Sequence, residues 1–174
     1  MRRLAVAIVL VAVGSVAYVR RLVPEGESLL FFDGVCNLCD GFVSFVADHD
    51  SANRVRFGAI QRHGDLLRSF GAGAYAEGGS EALSTMVLVQ ESRVYVRSDA
   101  ALRTISLLDS PLNAFAVFHL LPRVIRDAGY SLVAKYRYAI FGQTDECRPP
   151  DPRFERRFLD FVVDDDDKPP FPIM

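Results

Sequence analysis

The sequence predicts an α/β fold in which a mixed sheet of about four strands carries helices on both faces. Short apolar segments alternate with segments whose apolar residues recur at helical spacing, and two of the strand-like segments are separated only by a short turn. Such alternation is typical of layered α/β domains. Of the 174 residues, 50% are hydrophobic and 24% are charged, which allows a sizeable core and excludes a disordered chain or a multi-span membrane protein.

The first half of the domain supplies strand, helix, strand and helix in that order. Residues 29–32 form a continuous apolar run, which is typical of a buried strand. Apolar residues at helical spacing predict a helix over residues 36–49. Alternation over residues 55–60 predicts a second strand, and residues 62–70 follow as a short helix. Because a helix joins the two strands, we expect them to be parallel.

A glycine-rich loop and a hairpin follow. Residues 71–79 are rich in glycine and predict the loop. Residues 85–89 and 94–96 have the pattern of two strands, and the short turn near Ser92 joins them as a hairpin. Since a hairpin requires an antiparallel pair, the sheet is predicted to be mixed.

The last part of the domain is predicted to be helical. Ser98 and Asp99 predict the N-cap of one helix. Additional C-terminal helix is predicted from about 112 to 140, with interruptions near Pro122 and Gly129. We expect core packing of the closely spaced apolar residues in this region, with a partner groove or membrane contact as the alternatives; these residues include Phe115, Val117, Phe118, Leu120 and Leu121.

The N-terminal segment differs from the rest of the chain. Residues 1–21 carry four arginines and no acidic residue, and the remainder carries sixteen basic and twenty-two acidic residues. The charge-free stretch Leu4–Val19 predicts an apolar helix; it is shorter than the about 20 residues of a membrane span and longer than the roughly 7–15 residues of a secretory core. Residues 1–25 are therefore interpreted as an uncleaved membrane anchor or a cleaved targeting segment, with a buried helix of a soluble domain as the third interpretation. We expect membrane association through residues 4–19, or export or organellar import after cleavage.

The C-terminal segment is predicted to be a disordered tail. Asp164–Asp167 form an acidic run that prolines follow, so residues 163–174 are expected to remain solvated. This leaves residues 26–162 as a single domain. The formal net charge of -2 provides no basic field for nucleic acid, which we exclude as a partner.

Cys36 and Cys39 form a C-x-x-C directly after a buried strand and at the start of a helix. Side chains three residues apart share one helix face, so the two sulfur atoms can approach bonding distance. The free N–H groups and partial positive charge of a helix N-terminus stabilise a thiolate. We expect Cys36 to be the exposed nucleophile, and Cys39, which begins the apolar stripe, to be the more buried resolving thiol.

Asp33 precedes Cys36 by three residues and is the third candidate catalytic residue. A carboxylate near a thiolate raises the pKa of the thiol, so Asp33 is a poor activator of Cys36. It fits either as a proton acceptor for Cys39 or as an acceptor for backbone N–H groups in the turn. Gly34 suits a turn with positive φ or a close approach to a substrate backbone.

Other chemistries fit the same residues less well. A structural zinc site needs two further ligands, but the sequence has no second C-x-x-C, and His49 lies about 20 Å along the same helix. A strand ending in Asp33 faintly resembles the nucleophile loop of haloacid-dehalogenase phosphotransferases, yet Val35 replaces their second aspartate. A non-catalytic, membrane-tethered module with a structural C-x-x-C or a metal half-site remains the alternative.

The segment Phe31–Cys39 resembles the signature of the DCC family of predicted thiol-disulfide oxidoreductases. The family is named for the Asp, Cys and Cys that are Asp33, Cys36 and Cys39 in this chain. The resemblance extends over about residues 29–160, through the segments Val55–Phe57, Tyr95–Leu102, Pro122–Asp127, Tyr130, Ala134–Tyr138, Phe141–Gly142 and Cys147.

The resemblance implies a thioredoxin-like fold and dithiol–disulfide exchange through Cys36 and Cys39. The implied partner is a protein or small-molecule thiol or disulfide, and neither a metal nor an organic cofactor is required. Tyr136 departs from the family, which often has Asn at this position before the arginine. The cis-proline that thioredoxins place before the third strand is also absent, since residues 83–85 are Leu-Ser-Thr.

Two further residues of the C-terminal block, Cys147 and Arg137, bear on the site. Cys147 lies among acidic residues and prolines, and acidic neighbours disfavour a thiolate. The resemblance implies a structural position for it rather than a third redox thiol. Arg137 is a candidate neighbour of Asp33 or of the cysteines, although no sequence feature fixes that distance.

Overall fold

The computed structural model describes residues 26–76, 85–91, 93–147, 149 and 151–161. The predicted N-terminal apolar helix, the anchor or targeting segment and the acidic tail lie outside these residues. Within them, no helix combines the length and the apolar character that crossing a membrane requires.

The described residues form four strands, four α-helices and four short 3-10 helices. The strands are β1 (Ser28–Phe32), β2 (Val55–Ala59), β3 (Val87–Gln90) and β4 (Arg93–Val96). The α-helices are α1 (Asn37–Asp48), α2 (Gly64–Ser69), α3 (Arg97–Ser106) and α4 (Arg123–Phe141). The 3-10 helices are Gly73–Tyr75, Leu112–Leu120, Glu155–Arg157 and Leu159–Phe161.

The four strands form one mixed sheet in the order β2-β1-β3-β4. Strand β1 runs parallel to β2 and antiparallel to β3, and β3 runs antiparallel to β4. Leu30 of β1 faces Phe57 on one side and Leu88 on the other. The predicted four-stranded mixed sheet is confirmed, and its arrangement is consistent with a thioredoxin-like fold. The predicted boundaries hold to within about two residues, although β3 begins at Val87 rather than at residue 85.

Helices cover both faces of the sheet, as predicted. On one face, Leu30 and Phe57 pack with Val43 of α1 and Ala100 of α3. On the other face, side chains from β1 and β3 pack with Leu67 of α2. Every residue of β1 is buried, because this strand is central in the sheet and covered on both sides. The carboxyl end of β1 therefore leads directly from the core to the start of α1.

The C-terminal 3-10 helices attach to the sheet through a buried arginine. The Arg157 guanidinium donates to the carbonyl oxygens of Val55 and Ala47, and its Nη2 lies 2.6 Å from Oδ2 of Asp50. The Arg157 side chain is 10% exposed and that of Asp50 is fully buried. Phe158 then forms an isolated parallel β-bridge with Phe57. These contacts join the end of the described chain to β2 and α1.

The region predicted as a helix from 112 to 140 is divided in the structure. Leu112–Leu120 is a 3-10 helix, and Leu121 is extended before Pro122, as expected of a residue that precedes proline. The predicted interruption near Gly129 is wrong, since α4 continues through it. A glycine inside a helix costs only about 1 kcal/mol relative to alanine, and the rest of α4 outweighs this cost.

The predicted N-cap at Ser98 and Asp99 is also wrong. Helix α3 begins at Arg97, and Val96 occupies the N-cap without a side-chain hydrogen bond. The Ser98 hydroxyl donates to a carboxylate oxygen of Asp127 in α4. Similarly, Asp99 accepts a hydrogen bond from the α4 residue Arg126 at 2.7 Å. These two polar side chains bind the neighbouring helix instead of capping their own.

Core packing of the apolar residues between 112 and 141 is contradicted by the structure. No residue of the 3-10 helix Leu112–Leu120 is buried, and Arg137 is the buried residue of α4. Helix α4 contacts α1 and α3, and it directs polar side chains towards the domain, with Arg126 binding Asp99 of α3 and Arg137 binding Asp33 in the turn after β1. Consequently the apolar residues of the 3-10 helix and of α4 face outwards. The exposed large hydrophobic side chains include Phe115, Val117, Phe118, Leu120, Leu121, Val124, Ile125, Leu132, Val133, Tyr136, Ile140 and Phe141.

Candidate active site

The C-x-x-C lies at the N-terminus of α1, as the sequence predicts. A turn follows β1, in which the Cys36 N–H donates to the Asp33 carbonyl at 3.2 Å. Cys36 is the N-cap residue of α1, and its Sγ accepts a hydrogen bond from the Cys39 N–H at 3.4 Å. All three cysteines of the chain are free thiols in this structure. The two motif cysteines therefore share one local hydrogen-bonded unit.

The two thiols have opposite pKa shifts. Hydrogen bonding from Cys39 is the largest cause that lowers the pKa of Cys36, which falls to about 6, and the positive charge of Arg137 lowers it further. Burial and the negative charge of Asp33 act in the opposite direction. The pKa of Cys39 is raised well above its ordinary value by its hydrogen bond to Cys36, by burial and by the Cys36 charge. The site thus favours a Cys36 thiolate beside a protonated Cys39.

The predicted exposure of the two cysteines is reversed. Cys36 is only 1% exposed, whereas Cys39 is partly exposed. Residues 142–144, which we call the cover segment, follow α4 and lie over the motif. The Asn37 N–H donates to the Gly142 carbonyl, and the Thr144 N–H donates to the Val35 carbonyl at 2.9 Å. Gln143 forms an isolated antiparallel bridge with Cys36, so this backbone pairing shields the thiol.

Asp33 is held in a buried polar network. Its Oδ2 accepts hydrogen bonds from Arg137 Nη2 at 2.7 Å and from the Tyr138 hydroxyl. Its Oδ1 accepts from Gln61 Nε2 at 2.7 Å and from the Val35 N–H at 3.2 Å. The expected role of Asp33 as an acceptor for a turn N–H is confirmed, and so is the expected proximity of Arg137. Its role as a proton acceptor for Cys39 stays a prediction.

Gln61 and Tyr138 complete this network and were not predicted. Gln61 Oε1 accepts a hydrogen bond from the Gly34 N–H at 3.1 Å, while its amide nitrogen donates to Asp33. Because β1 and β2 are parallel, the residues just beyond their carboxyl ends lie side by side. From this arrangement the proximity of Gln61 to Asp33 could have been predicted. Burial and the bond to Asp33 raise the pKa of Tyr138 to about 12. No comparable local signal identifies Tyr138.

A cavity of about 180 Å³ lies beside Cys39. Its lining is mostly apolar and comes largely from α1, α4 and the residues just before β3, including Leu38, Phe42, Met86, Tyr130, Val133 and Ala134. Thr85, which stands at the place of the absent cis-proline, is buried and lines the same cavity. Asp33 and Arg137 form its polar end. The cavity can therefore admit a small apolar group next to Cys39.

Cys147 lies on the opposite side of the turn, against Gly34. A Cβ atom at Gly34 would lie 2.8 Å from Cys147 Sγ. Glycine therefore fits this position because Cys147 leaves little space for a side chain, and not because the φ angle is positive. Burial raises the pKa of Cys147, which agrees with a structural position for this residue. Among the residues that the structure describes, no three His, Cys, Asp or Glu side chains form a group able to hold a metal ion.

A pH titration of the reduced protein is expected to show a thiolate midpoint near pH 6 from Cys36. The ultraviolet absorbance of the thiolate measures this midpoint, and no reagent has to reach the buried sulfur. Because the folded pKa lies below the ordinary value near 9, the associated stability is complete above about pH 9 and is lost as pH falls through about 6. The variant Cys36→Ser removes the transition. A midpoint that coincides with that of the unfolded chain contradicts the assignment.

Comparison with known proteins gives one family and two curated relatives. The model of the DCC1-like thiol-disulfide oxidoreductase family matches residues 30–143. An uncharacterized protein of Bacillus subtilis (strain 168), YuxK, is 35% identical over 133 residues, which are 75% of this chain and 93% of the relative. A DCC family protein of Arabidopsis thaliana, named as chloroplastic, is 41% identical over 127 residues, 71% of this chain and 70% of the relative. No solved structure matches.

Proposed function

We propose that this chain, which belongs to the DCC1-like thiol-disulfide oxidoreductase family, exchanges a dithiol and a disulfide through Cys36 and Cys39. The observation that carries the proposal is the placement of both thiols at one helix N-terminus, where Cys36 Sγ accepts the Cys39 N–H; the opposite pKa shifts of the two thiols agree with it. A thiolate is the attacking species in such exchange. Cys36 therefore fits as the nucleophile, and the protonated Cys39 fits as the resolving thiol.

The exchange takes place in two displacements. The Cys36 thiolate attacks one sulfur of a substrate disulfide, forms a mixed disulfide and releases the first substrate thiolate. Cys39 then gives its proton to the released thiolate or to water and attacks the Cys36 sulfur, which releases the second substrate thiolate and leaves a Cys36–Cys39 disulfide. Two electrons pass from the protein to the substrate, and the reverse sequence oxidises a substrate dithiol. Protein or small-molecule thiols and disulfides are the proposed substrates.

Asp33 and Arg137 are proposed to position the reacting pair. The positive charge of Arg137 lowers the pKa of both thiols, and Asp33 opposes it while fixing the guanidinium in place. Asp33 also binds the Val35 N–H within the turn that leads to Cys36. The carboxylate thereby orients the turn and the arginine together, and its full set of hydrogen bonds favours this role over proton transfer.

A mixed-disulfide trap tests the proposal. With Cys39→Ser the second displacement is blocked, so we expect a mixed disulfide with a test substrate such as oxidised glutathione or insulin to accumulate. We expect none with Cys36→Ser, because the thiol with the lowered pKa is then absent and those that remain, Cys39 and Cys147, have raised pKa values. Mass spectrometry of the intact protein detects the adduct, and Cys147→Ser is the matched control, expected to behave like the wild type. If both motif variants reduce insulin as the wild type does, thiol exchange at this motif is ruled out.

Movement of the cover segment is proposed to precede attack, since Cys36 is buried beneath it. Gly142 has a φ of +78°, and a Cβ there would lie 3.0 Å from Asn37 Nδ2. We expect Gly142→Ala to loosen the cover and to raise the alkylation rate of Cys36 several-fold at fixed pH. Gly129→Ala is the control, since nothing lies near its Cβ position and its rate should not change. Equal rates in wild type and Gly142→Ala contradict the gating step.

The location of the protein is proposed from its N-terminal sequence and from one relative. Residues 1–25 are proposed to anchor the domain to a membrane or to direct it across one and be cleaved. The Arabidopsis relative is named as chloroplastic, which is compatible with an organellar or exported location. Fractionation of a C-terminally tagged chain, together with its N-terminal sequence, separates an anchored protein from a processed one.

A further inference from the structure

The outward-facing apolar surface of the 3-10 helix Leu112–Leu120 and of α4 is unusually large. We call it the apolar face, and its most exposed members include Leu120 at 84%, Val124 at 81% and Ile140 at 70%. Its exposed apolar area is on the order of 1,000 Å² if each large side chain presents about half of its roughly 200 Å². The largest apolar patch on a typical monomer is about 300–600 Å². A surface of this size marks an interaction site.

The apolar face is organised as a stripe along α4. Ile125, Leu132, Tyr136 and Ile140 follow one another at intervals of seven, four and four residues, which places them on one side of the helix. Gly129 falls on the same stripe, and nothing lies within 4 Å of its Cβ position. The stripe faces away from α1 and α3, which the other side of α4 contacts.

The charges beside the apolar face are positive. The exposed residues of the 3-10 helix and of α4 include Arg123 and Lys135, and none of the exposed residues in these two described helices is acidic. Asp127, the acidic residue of α4, is only partly exposed and is engaged by Ser98 and Arg123. An apolar face flanked by cations is typical of helices that lie on anionic lipid.

The N-terminal sequence supports the same partner. The apolar stretch Leu4–Val19 lies between arginine pairs and is expected to attach the chain to a membrane. Six residues separate Val19 from the first described residue, Gly26, and the chain between these two spans at most about 25 Å. A domain held on so short a connection stays within reach of the bilayer surface.

We propose that the apolar face rests in the interfacial region of an anionic lipid bilayer. A second copy of the chain is a poorer occupant, because pairing two such faces brings the Lys135 side chains of both copies to one surface, and no exposed residue of the two helices is acidic, while Arg123 is already paired with Asp99 and Asp127. Val133 is half exposed on this surface and also lines the cavity beside Cys39. The contact therefore brings that cavity next to lipid. The proposal does not depend on the thiol-exchange activity.

Single-tryptophan reporters test the contact in the full chain, which has no tryptophan of its own. Leu132→Trp places the reporter on the apolar face, at a site 61% exposed. Ser69→Trp is the control, on α2 across the sheet. With vesicles of equal parts phosphatidylglycerol and acyl-brominated phosphatidylcholine, we expect the Leu132→Trp emission to shift to the blue and to be quenched at least twofold. The Ser69→Trp emission is expected to remain unchanged.

A charge variant adds a second measurement. Lys135→Glu in the Leu132→Trp background is expected to reduce the quenching of the reporter at least twofold on anionic vesicles at low salt, with little change on uncharged vesicles, even where residues 4–19 keep the chain attached. Vesicle binding without quenching of the Leu132→Trp reporter would show attachment through residues 4–19 alone and would overturn the proposal. A blue-shifted Leu132→Trp emission before vesicles are added would also overturn the proposal, because the apolar face would then already be covered. Light scattering distinguishes the two possible covers, another part of the same chain and a second copy.

Discussion

Replacing Arg137 by methionine is expected to lower the free energy of unfolding by about 3–5 kcal/mol, because it leaves the Asp33 carboxylate buried without its counter-charge. The side chains of Arg137 and Asp33 are only 4% and 2% exposed, and their atoms approach to 2.7 Å. The Tyr138 hydroxyl and Gln61 still bind the carboxylate, but neither supplies positive charge. The same substitution is expected to raise the pKa of Cys36, since the charge of Arg137 lowers it.

Urea unfolding and thiolate titration measure these two effects separately. Arg153→Met is the matched control, since Arg153 lies 2.8 Å from Asp151 with its side chain 64% exposed, and exposed ion pairs contribute at most about 1 kcal/mol. Arg137→Lys retains the charge and is expected to lose less stability than Arg137→Met. An Arg137→Met protein with wild-type stability and an unchanged Cys36 midpoint would contradict both parts of the prediction.

Replacing Arg157 by methionine is expected to lower the free energy of unfolding by a similar amount, about 3–5 kcal/mol, for a different structural reason. Asp50 loses the cation paired with its Oδ2 at 2.6 Å. The carbonyl oxygens of Ala47 and Val55 each lose a buried hydrogen bond from the guanidinium. A buried polar group without a partner carries its full desolvation penalty, so the three losses act together.

The neighbouring Arg156 provides the control for this experiment. Its side chain is exposed, and Arg156→Met is expected to change the free energy of unfolding by less than about 0.5 kcal/mol. Arg157 donates to Val55, Ala47 and Asp50, which lie outside the motif and its polar network, so the thiolate midpoint should remain near 6 in Arg157→Met. Equal stabilities of the two variants in urea would mean that the buried contacts of Arg157 contribute nothing.

Local sequence patterns were sufficient for the parts of the fold that depend on neighbouring residues. The apolar run of β1 and the helical spacing after Cys36 predicted the strand–turn–helix unit that carries both motif cysteines. The short turn between β3 and β4 predicted the antiparallel hairpin. In each case the residues that decide the structure lie within a few positions of one another, so hydrophobic periodicity and turn signals contain the necessary information.

The burial of Cys36 could not be derived in this way. The cover segment follows α4 and is more than one hundred residues from the motif that it shields. The bond between Arg137 and Asp33 spans a similar distance in sequence. Such contacts depend on the direction in which α4 crosses the domain, which no local pattern encodes. The expectation of an exposed Cys36 came from helix position alone and was wrong for that reason.

The exposure of α4 was missed for a different reason. Its apolar residues were interpreted as core because burial is the usual explanation for closely spaced hydrophobic side chains. The polar residues Arg126, Asp127, Tyr130, Arg137 and Tyr138 fall on the opposite side of the same helix, and it is this side that contacts the domain. A helix can thus attach through ionic and hydrogen-bonded contacts and leave its hydrophobic side outwards.

The contacts of Arg157 and Phe158 also cover one of the two edge strands of the sheet, β2. Strand β2 is paired with β1 on one side only, and an unpaired strand edge can recruit another chain and start aggregation. Arg157 donates a hydrogen bond to the Val55 carbonyl, and Phe158 forms a β-bridge with Phe57. Two residues from the end of the described chain therefore take the place of a fifth strand and keep this edge from acting as a template for intermolecular pairing.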